Sequence, residues 1–410
     1  MKTPPPLVAL AGLVGLVGLG GPTAASADEL AVDSLPEPLR AGAHDIAVVW
    51  RTHPDDPSVL YQVAALYARA GRTTEALAVL ERMEKTGAGL IPRLRDGFAP
   101  MAKEPGFRAL LARLHDQNPP VIHSRIARRI EEGDLVPEGI AYSEKTGELY
   151  LGSIKRKIVA VAPDGRVRDL VAPGQNGLGA VVGIRVDDAR GELWVVSEIM
   201  AEPLPGAVVG VFCFRLADGS LVRSVPIGAD QGTLLNDLVV ARDGAVYVTA
   251  TNSGSIIRVD PRTHVAEAFL PRGSLPDPNG IAIDGDILYI AGWYGVTRLD
   301  VKTRQQALLA KPAGVADGCL DGLYRRGHDL VGVQNCVHDP GRILRLHLAR
   351  DGRRIERAEV LESGNPLFEG ITTAAIAGNE LVFVANTQFR KVGTRTPFDP
   401  VKILALPLAP

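Results

Sequence analysis

The chain has 410 residues, with 45 lysines and arginines against 47 aspartates and glutamates, a formal net charge of −2. That balance offers no basic surface for nucleic acid or an anionic membrane, so neither is expected as a partner. A composition 46% hydrophobic and 22% charged belongs to a folded globular protein, with room for one large domain and an appendage, and three cysteines exclude a disulfide-dense scaffold.

The first element in chain order is "MKTPPPLVALAGLVGLVGLGGPTAASADEL", a short basic start, an apolar run and Ala25-Ser26-Ala27 ahead of Asp28. It reads as a signal peptide over residues 1–27, which predicts a periplasmic or secreted protein with no membrane span after cleavage. Residues 28–120 are helical in period. In "LYQVAALYARAGRTTEALAVLERM", Leu60, Val63, Ala64, Tyr67, Ala76, Leu80 and Met83 keep tetratricopeptide-like spacing around Gly71. A single such motif cannot bury a continuous core, so it is expected to pack on the rest of the chain. A groove for a protein partner is the second option.

From residue 121 the period changes to two. Six units begin at "PEGIAY", "VVGIRV", "LNDLVV", "PNGIAI", "LDGLYR" and "FEGITT". Their aligned residues are Glu138, Val182, Asn236, Asn279, Asp321 and Glu369, spaced by 44, 54, 43, 42 and 48 residues. Each unit holds further strands, such as "ELYLGS" or "AVYVTAT", and then a third of the type "GSIIRVDP" or "VKILALPL". Four short strands per unit predict an all-β fold, a six-bladed β-propeller over residues 121–410, preceded by the small α-helical region. The last unit stops after its third strand, and "VIHSRIARRI" at residues 121–130 is expected to complete it, removing two sheet edges. A parallel α/β fold is rejected because no helical period separates the strands.

In a propeller the innermost strands line the central channel, so the aligned residues converge at one end. Crowded carboxylates need compensating charge, and no Lys or Arg stands at that position. Oxygen donors without His or Cys suit a hard divalent cation, Ca²⁺ first, with Mg²⁺, Mn²⁺ or Zn²⁺ as alternatives. The competing reading is that Asn, Asp and Glu before Gly cap turns. In the fifth unit a hairpin turning near Arg326-Gly327 sets Cys319 nearly opposite Cys336, as a disulfide or as two buried thiols. Cys213 in "GVFCFRL" reads as an unpaired core cysteine.

Over the propeller, "PEGIAY", "NDLVVARDGAVYVTAT", "PNGIAI" and "LDGLY" resemble the senescence-marker-protein and gluconolactonase (regucalcin-like) family, and more distantly paraoxonases and strictosidine synthases. The resemblance implies that Glu138, Asn279 and Asp321 hold a divalent cation and that Asn236 contacts it or the substrate. It also implies hydrolysis of a lactone or ester, with Asp321 as general base. The arginine that the family's sugar-lactone hydrolases place two residues before that asparagine is Leu234 here, which favours a less polar substrate. Glu369 is an added carboxylate, either functional or a loop cap. His338 and Trp293 are expected at the substrate mouth with Tyr294 and Asn386, while His328 and His347 read as surface residues. The alternative function is a non-catalytic cell-envelope propeller with a structural ion, acting as a binding module. A strictosidine-synthase-like condensation is a third option.

Overall fold

Alternating apolar residues build each unit from the channel outward. In the first blade, the inner strand "PEGIAY" and the next two are almost wholly buried, whereas the outer strand "VRDLV" exposes its first three residues. The computed structural model describes residues 32, 35–37, 39–200, 205–228 and 234–408. The signal-peptide reading therefore falls outside the described residues.

Among the described residues, strands pair antiparallel into six four-stranded sheets, each taken in sequence order save the last. The inner strands are β2 (Pro137–Tyr142), β6 (Ala180–Asp187), β10 (Leu235–Val240), β14 (Ile281–Asp284), β18 (Leu320–Arg326) and β22 (Ala374–Ala377). In the sixth sheet the order is β22, β23 (Glu380–Val384), β24 (Val401–Pro407) and then β1 (Arg125–Ile130). The first strand of the domain thus pairs with the last, as expected from the sequence, in register Ile130↔Val401. Clusters of buried apolar side chains lie between successive blades. One of them packs Ile140 and Leu151 of the first blade against Val384 and Ile403 of the last, so the ring is closed by a core as well as by hydrogen bonds. Each fully buried Leu or Ile in such a seam contributes about 1.5–3 kcal/mol relative to exposure.

Four of the six inner strands share an irregularity. Pairing skips at Glu138 in β2, at Val182 and Gly183 in β6, at Asn236 and Asp237 in β10, and at Asp321 in β18. A bulge adds a residue on one side of the ladder and re-aims its side chain. The aligned position is therefore freed from sheet pairing and available to the channel.

The helical region is α1 (Leu39–Thr52), α2 (Pro57–Arg69), α3 (Thr73–Lys85) and α4 (Pro105–Gln117). The start of α2 follows from Asp56-Pro57: the Asp56 carboxylate accepts from Ser58 N and Val59 N, and proline occupies the first turn. Residues Pro57–Ala68 of α2 are buried on every side, which an apolar helix tolerates only between two layers. One layer is the other helices. The second is the propeller, whose Tyr294, Ala316, Cys319 and Val337 share a single apolar cluster with the helices. Polar ties fix the seam. Lys311 pairs with Asp56 and Asp317, Arg342 Nη1 donates to Ala88 O at 2.9 Å, and Gly318 N donates to Ser58 Oγ at 3.1 Å. Cys319 and Cys336 form a disulfide, with Cα atoms 5.8 Å apart, across the hairpin of β18 and β19 (Asp329–Gln334). Cys213 is free and buried.

Candidate functional site

Three of the aligned residues meet at the mouth of the channel. Glu138 and Asp321 line one cavity, and the Asn279 amide hydrogen-bonds Asp321. Asn335, at the end of β19, donates through Nδ2 to Asp321 Oδ2 and also to Ile371 O at 2.8 Å. The Glu138 backbone carbonyl accepts from Thr372 Oγ1 and Thr373 Oγ1, both at 2.8 Å, which anchors the bulge of β2 against the sixth blade.

Burial dominates the electrostatics. The Glu138 carboxyl is pushed well above the usual carboxylate range by burial and then by the nearby charges of Asp321 and Asp237, with Arg185 working the other way. Asp321 is raised to about 6 by burial, although its bonds from Asn335 and Asn279 favour the charged form. Among the described residues, two buried side-chain oxygens have no hydrogen-bond partner: Glu138 Oε2 and Asn279 Oδ1. Such atoms cost about 1–3 kcal/mol each unless something else satisfies them. A cation would do so, and two carboxylates with an amide carbonyl are the donor chemistry of a hard ion. Among the described residues no three His, Cys, Asp or Glu side chains converge as a metal cluster. The donor set would thus be Glu138, Asp321 and the Asn279 carbonyl, with further positions left for substrate or water.

A pair that the sequence reading did not single out lies against these residues. Asp237 stands where all five of the other aligned motifs carry glycine directly after the aligned residue. Its carboxylate accepts from Arg185 Nη2 at 2.6 Å and from Leu238 N at 2.8 Å. Arg185 in turn lies over the Tyr324 ring, 5.0 Å from the centroid. Arg185 brings a buried positive charge near the aligned position, but Asp237 neutralises it, so the carboxylates of Glu138 and Asp321 stay uncompensated by the pair. The available signal was the single Asp in the glycine column and the Arg two residues after that column in β6.

The other expected residues separate. Glu369 lines the same cavity as Glu138 and Asp321. Asn236 turns its amide to Thr251 Oγ1 at 3.1 Å, and Thr251 donates to Pro278 O, so Asn236 braces the residue before Asn279. Asn386 donates to Pro400 O and accepts from Lys402 N, a loop-holding role. Trp293 packs against the helical cluster and hydrogen-bonds Asp277. His338 is buried at the same seam, held neutral by burial and then by Arg342, which push it down to about 3, and its Nδ1 has no partner. Neither Trp293 nor His338 lines the cavity of Glu138 and Asp321. The reason is that the helical region docks on this face and covers them. In their place it contributes Arg93 and Arg95 to the cavity wall, which Gln388, Phe389 and Arg390 of the sixth blade also line. The cavity holds ≈ 280 Å³.

No family model matches the chain, and no curated protein matches it. Similar solved structures are propellers of low identity. A candidate gluconolactonase is 15% identical over 70% of this chain and 91% of its own, with a TM-score of 0.49. Regucalcin from Agrobacterium tumefaciens, a calcium-binding protein, is 18% identical over 69% and 96%, with a TM-score of 0.45. The PQQ-bound aldose sugar dehydrogenase from Streptomyces coelicolor is 17% identical over 70% and 99%, with a TM-score of 0.46. Likenesses this distant do not say which chemistry the site performs; the propeller itself rests on the strand pairing described above.

Proposed function

We propose that this protein is a divalent-cation-dependent hydrolase of a lactone or ester, with its reaction centre at Glu138, Asn279 and Asp321. The observation that carries the reading is the pair of orphaned buried oxygens, Glu138 Oε2 and Asn279 Oδ1, beside a second buried carboxylate. Glu138, Asn279 and Asp321 would hold the cation, with Ca²⁺ the first expectation. When bound, such an ion polarises a carbonyl and stabilises the oxyanion that forms from it.

The protein's own groups account for the remaining needs. Asn335 holds one oxygen of Asp321, leaving the carboxylate oriented toward the cavity, where it accepts a proton from attacking water. Arg185 and Asp237 neutralise one another against these residues and keep the floor from adding a net charge. Glu369 lines the same cavity as Asp321 and can relay a proton to the opened product. The covering helices limit solvent access at the mouth. That a signal peptide directs the protein out of the cytoplasm remains part of this proposal, as does a protein partner for the helical region. The second reading, a binding propeller with a structural ion, shares every ligand and differs only in turnover.

The test is hydrolysis of a panel of lactones and aryl esters by chelated and Ca²⁺-reloaded protein. Activity should vanish with chelator and return with Ca²⁺. Asp321→Asn should lower kcat by about 10²- to 10⁴-fold with the fold retained. Elemental analysis should find Glu138→Gln and Asn279→Ala depleted of the ion. Turnover that persists without any cation would eliminate this mechanism, and a retained ion with no turnover across the panel would favour the binding module.

A further inference from the structure

The acidic floor of the cavity faces a basic wall that comes from two distant parts of the chain. Arg93 and Arg95 flank Leu94 at the short turn Leu94–Asp96 of the helical region, and Arg390 lies in the turn Phe389–Lys391 between β23 and β24. Arg93 is buried and held in place: its Nε and Nη2 donate to Asp96 at 2.8 and 2.7 Å, and Asp96 also accepts from Tyr61 at 2.6 Å. Its remaining nitrogen, Nη1, is buried without a hydrogen-bond partner. Arg95 and Arg390 are exposed, and among the described residues neither makes a side-chain hydrogen bond or ion pair. Arg95 is depressed by partial burial and then by the positive charges of Arg93 and Arg390, with Asp96 and Asp339 working the other way. Arg93 is matched by Asp96, whereas Arg95 and Arg390 have no bonded acid among the described residues, and an anionic ligand would supply the counter-charge they lack.

We infer that the helical region supplies an anion-binding subsite, Arg93, Arg95 and Arg390, which selects substrates bearing a carboxylate or phosphate beside the scissile lactone or ester. The inference rests on the hydrolase reading for the reaction but not for the binding. Guanidinium forks match planar oxyanions, and a cavity of ≈ 280 Å³ holds a small molecule with its carbonyl at the floor and its anionic group at the wall. It also changes what the leucine at position 234 means. The cationic group that an anionic substrate needs is present, delivered from outside the propeller.

Two measurements test this. The first compares kcat/KM of the Ca²⁺-loaded protein for matched lactones bearing a carboxylate, a phosphate ester or the neutral methyl ester at one carbon. The wild-type protein should prefer an anionic member, the better of the two identifying the group. Arg95→Glu and Arg390→Glu should each cut the anionic-to-neutral ratio roughly 10- to 100-fold, chiefly through KM. The second is calorimetric binding of the ring-opened carboxylate and phosphate products, which needs no turnover. Binding that weakens with added salt and is lost in Arg95→Glu supports the subsite even if no lactone is hydrolysed. Both side chains are exposed and unpaired, so the variants should melt with the wild type. Equal use of neutral and anionic lactones, or product binding that the charge reversals leave unchanged, would overturn the subsite while leaving the hydrolase reading intact.

Discussion

Asp321 carries the sharpest consequence at the scale of single residues. Its folded pKa of about 6 lies above the ordinary 3.8, so the folded state binds more protons than the unfolded chain between those values. The stability that protonation confers is fully present below 3.8 and is lost as pH rises through about 6. Glu138, raised further in the same direction, extends the loss upward. A cation replaces the missing proton. The gain in melting temperature on adding Ca²⁺ should therefore be near zero at about pH 4 and grow as pH rises to about 7. Asp277, also raised to about 6 by burial, gives a background loss in the same window that Ca²⁺ does not reverse. Calorimetry with and without Ca²⁺ reads this, and a gain independent of pH would show that these carboxylates do not meet the ion.

At the scale of elements, the bulged inner strands matter most. A Cβ added to Gly139 would lie 2.2 Å from the Val182 carbonyl oxygen and 2.7 Å from Ile184 Cγ2, and one added to Gly280 would lie 2.5 Å from Asp321 O. Glycine after the aligned residue is thus needed for neighbouring blades to approach at the channel. Gly139→Ala should destabilise the fold by about 1–3 kcal/mol and displace Glu138, lowering Ca²⁺ affinity as well. Denaturant unfolding and Ca²⁺ titration of that variant check both effects; a wild-type affinity would separate the bulge from the site. The same crowding explains why Asp237 was hard to read. An aspartate in a glycine column looks like a turn residue until the partner, Arg185 of the preceding blade, is seen beside it.

For the whole molecule, the seam between helices and propeller decides both stability and access. Lys311 is buried between Asp56 of the helical region and Asp317 of the propeller; burial opposes its charge, and the two carboxylates more than offset that. Lys311→Met would leave two buried acids facing each other, at a cost of about 3–5 kcal/mol. Thermal melting should show this as an early loss of the helical signal. An unchanged melt would mean that the apolar cluster around α2 holds the seam without it. Among the described residues no helix is long and apolar enough to cross a membrane.

Periodicity alone determined the six blades and their closure by the first strand of the domain, because strand alternation and unit length are local properties that repeat; of the four residues expected at one mouth, Glu138, Asn279 and Asp321 lie together while Asn236 turns to Thr251. The Cys319–Cys336 pairing was legible for the same reason, through hairpin register. Tertiary structure alone decided where the helical region sits. That depends on matching one folded surface to another, which no local pattern encodes. It buried His338, partly covered Trp293, placed Arg93 and Arg95 in the cavity wall, and so settled which side chains face the cavity.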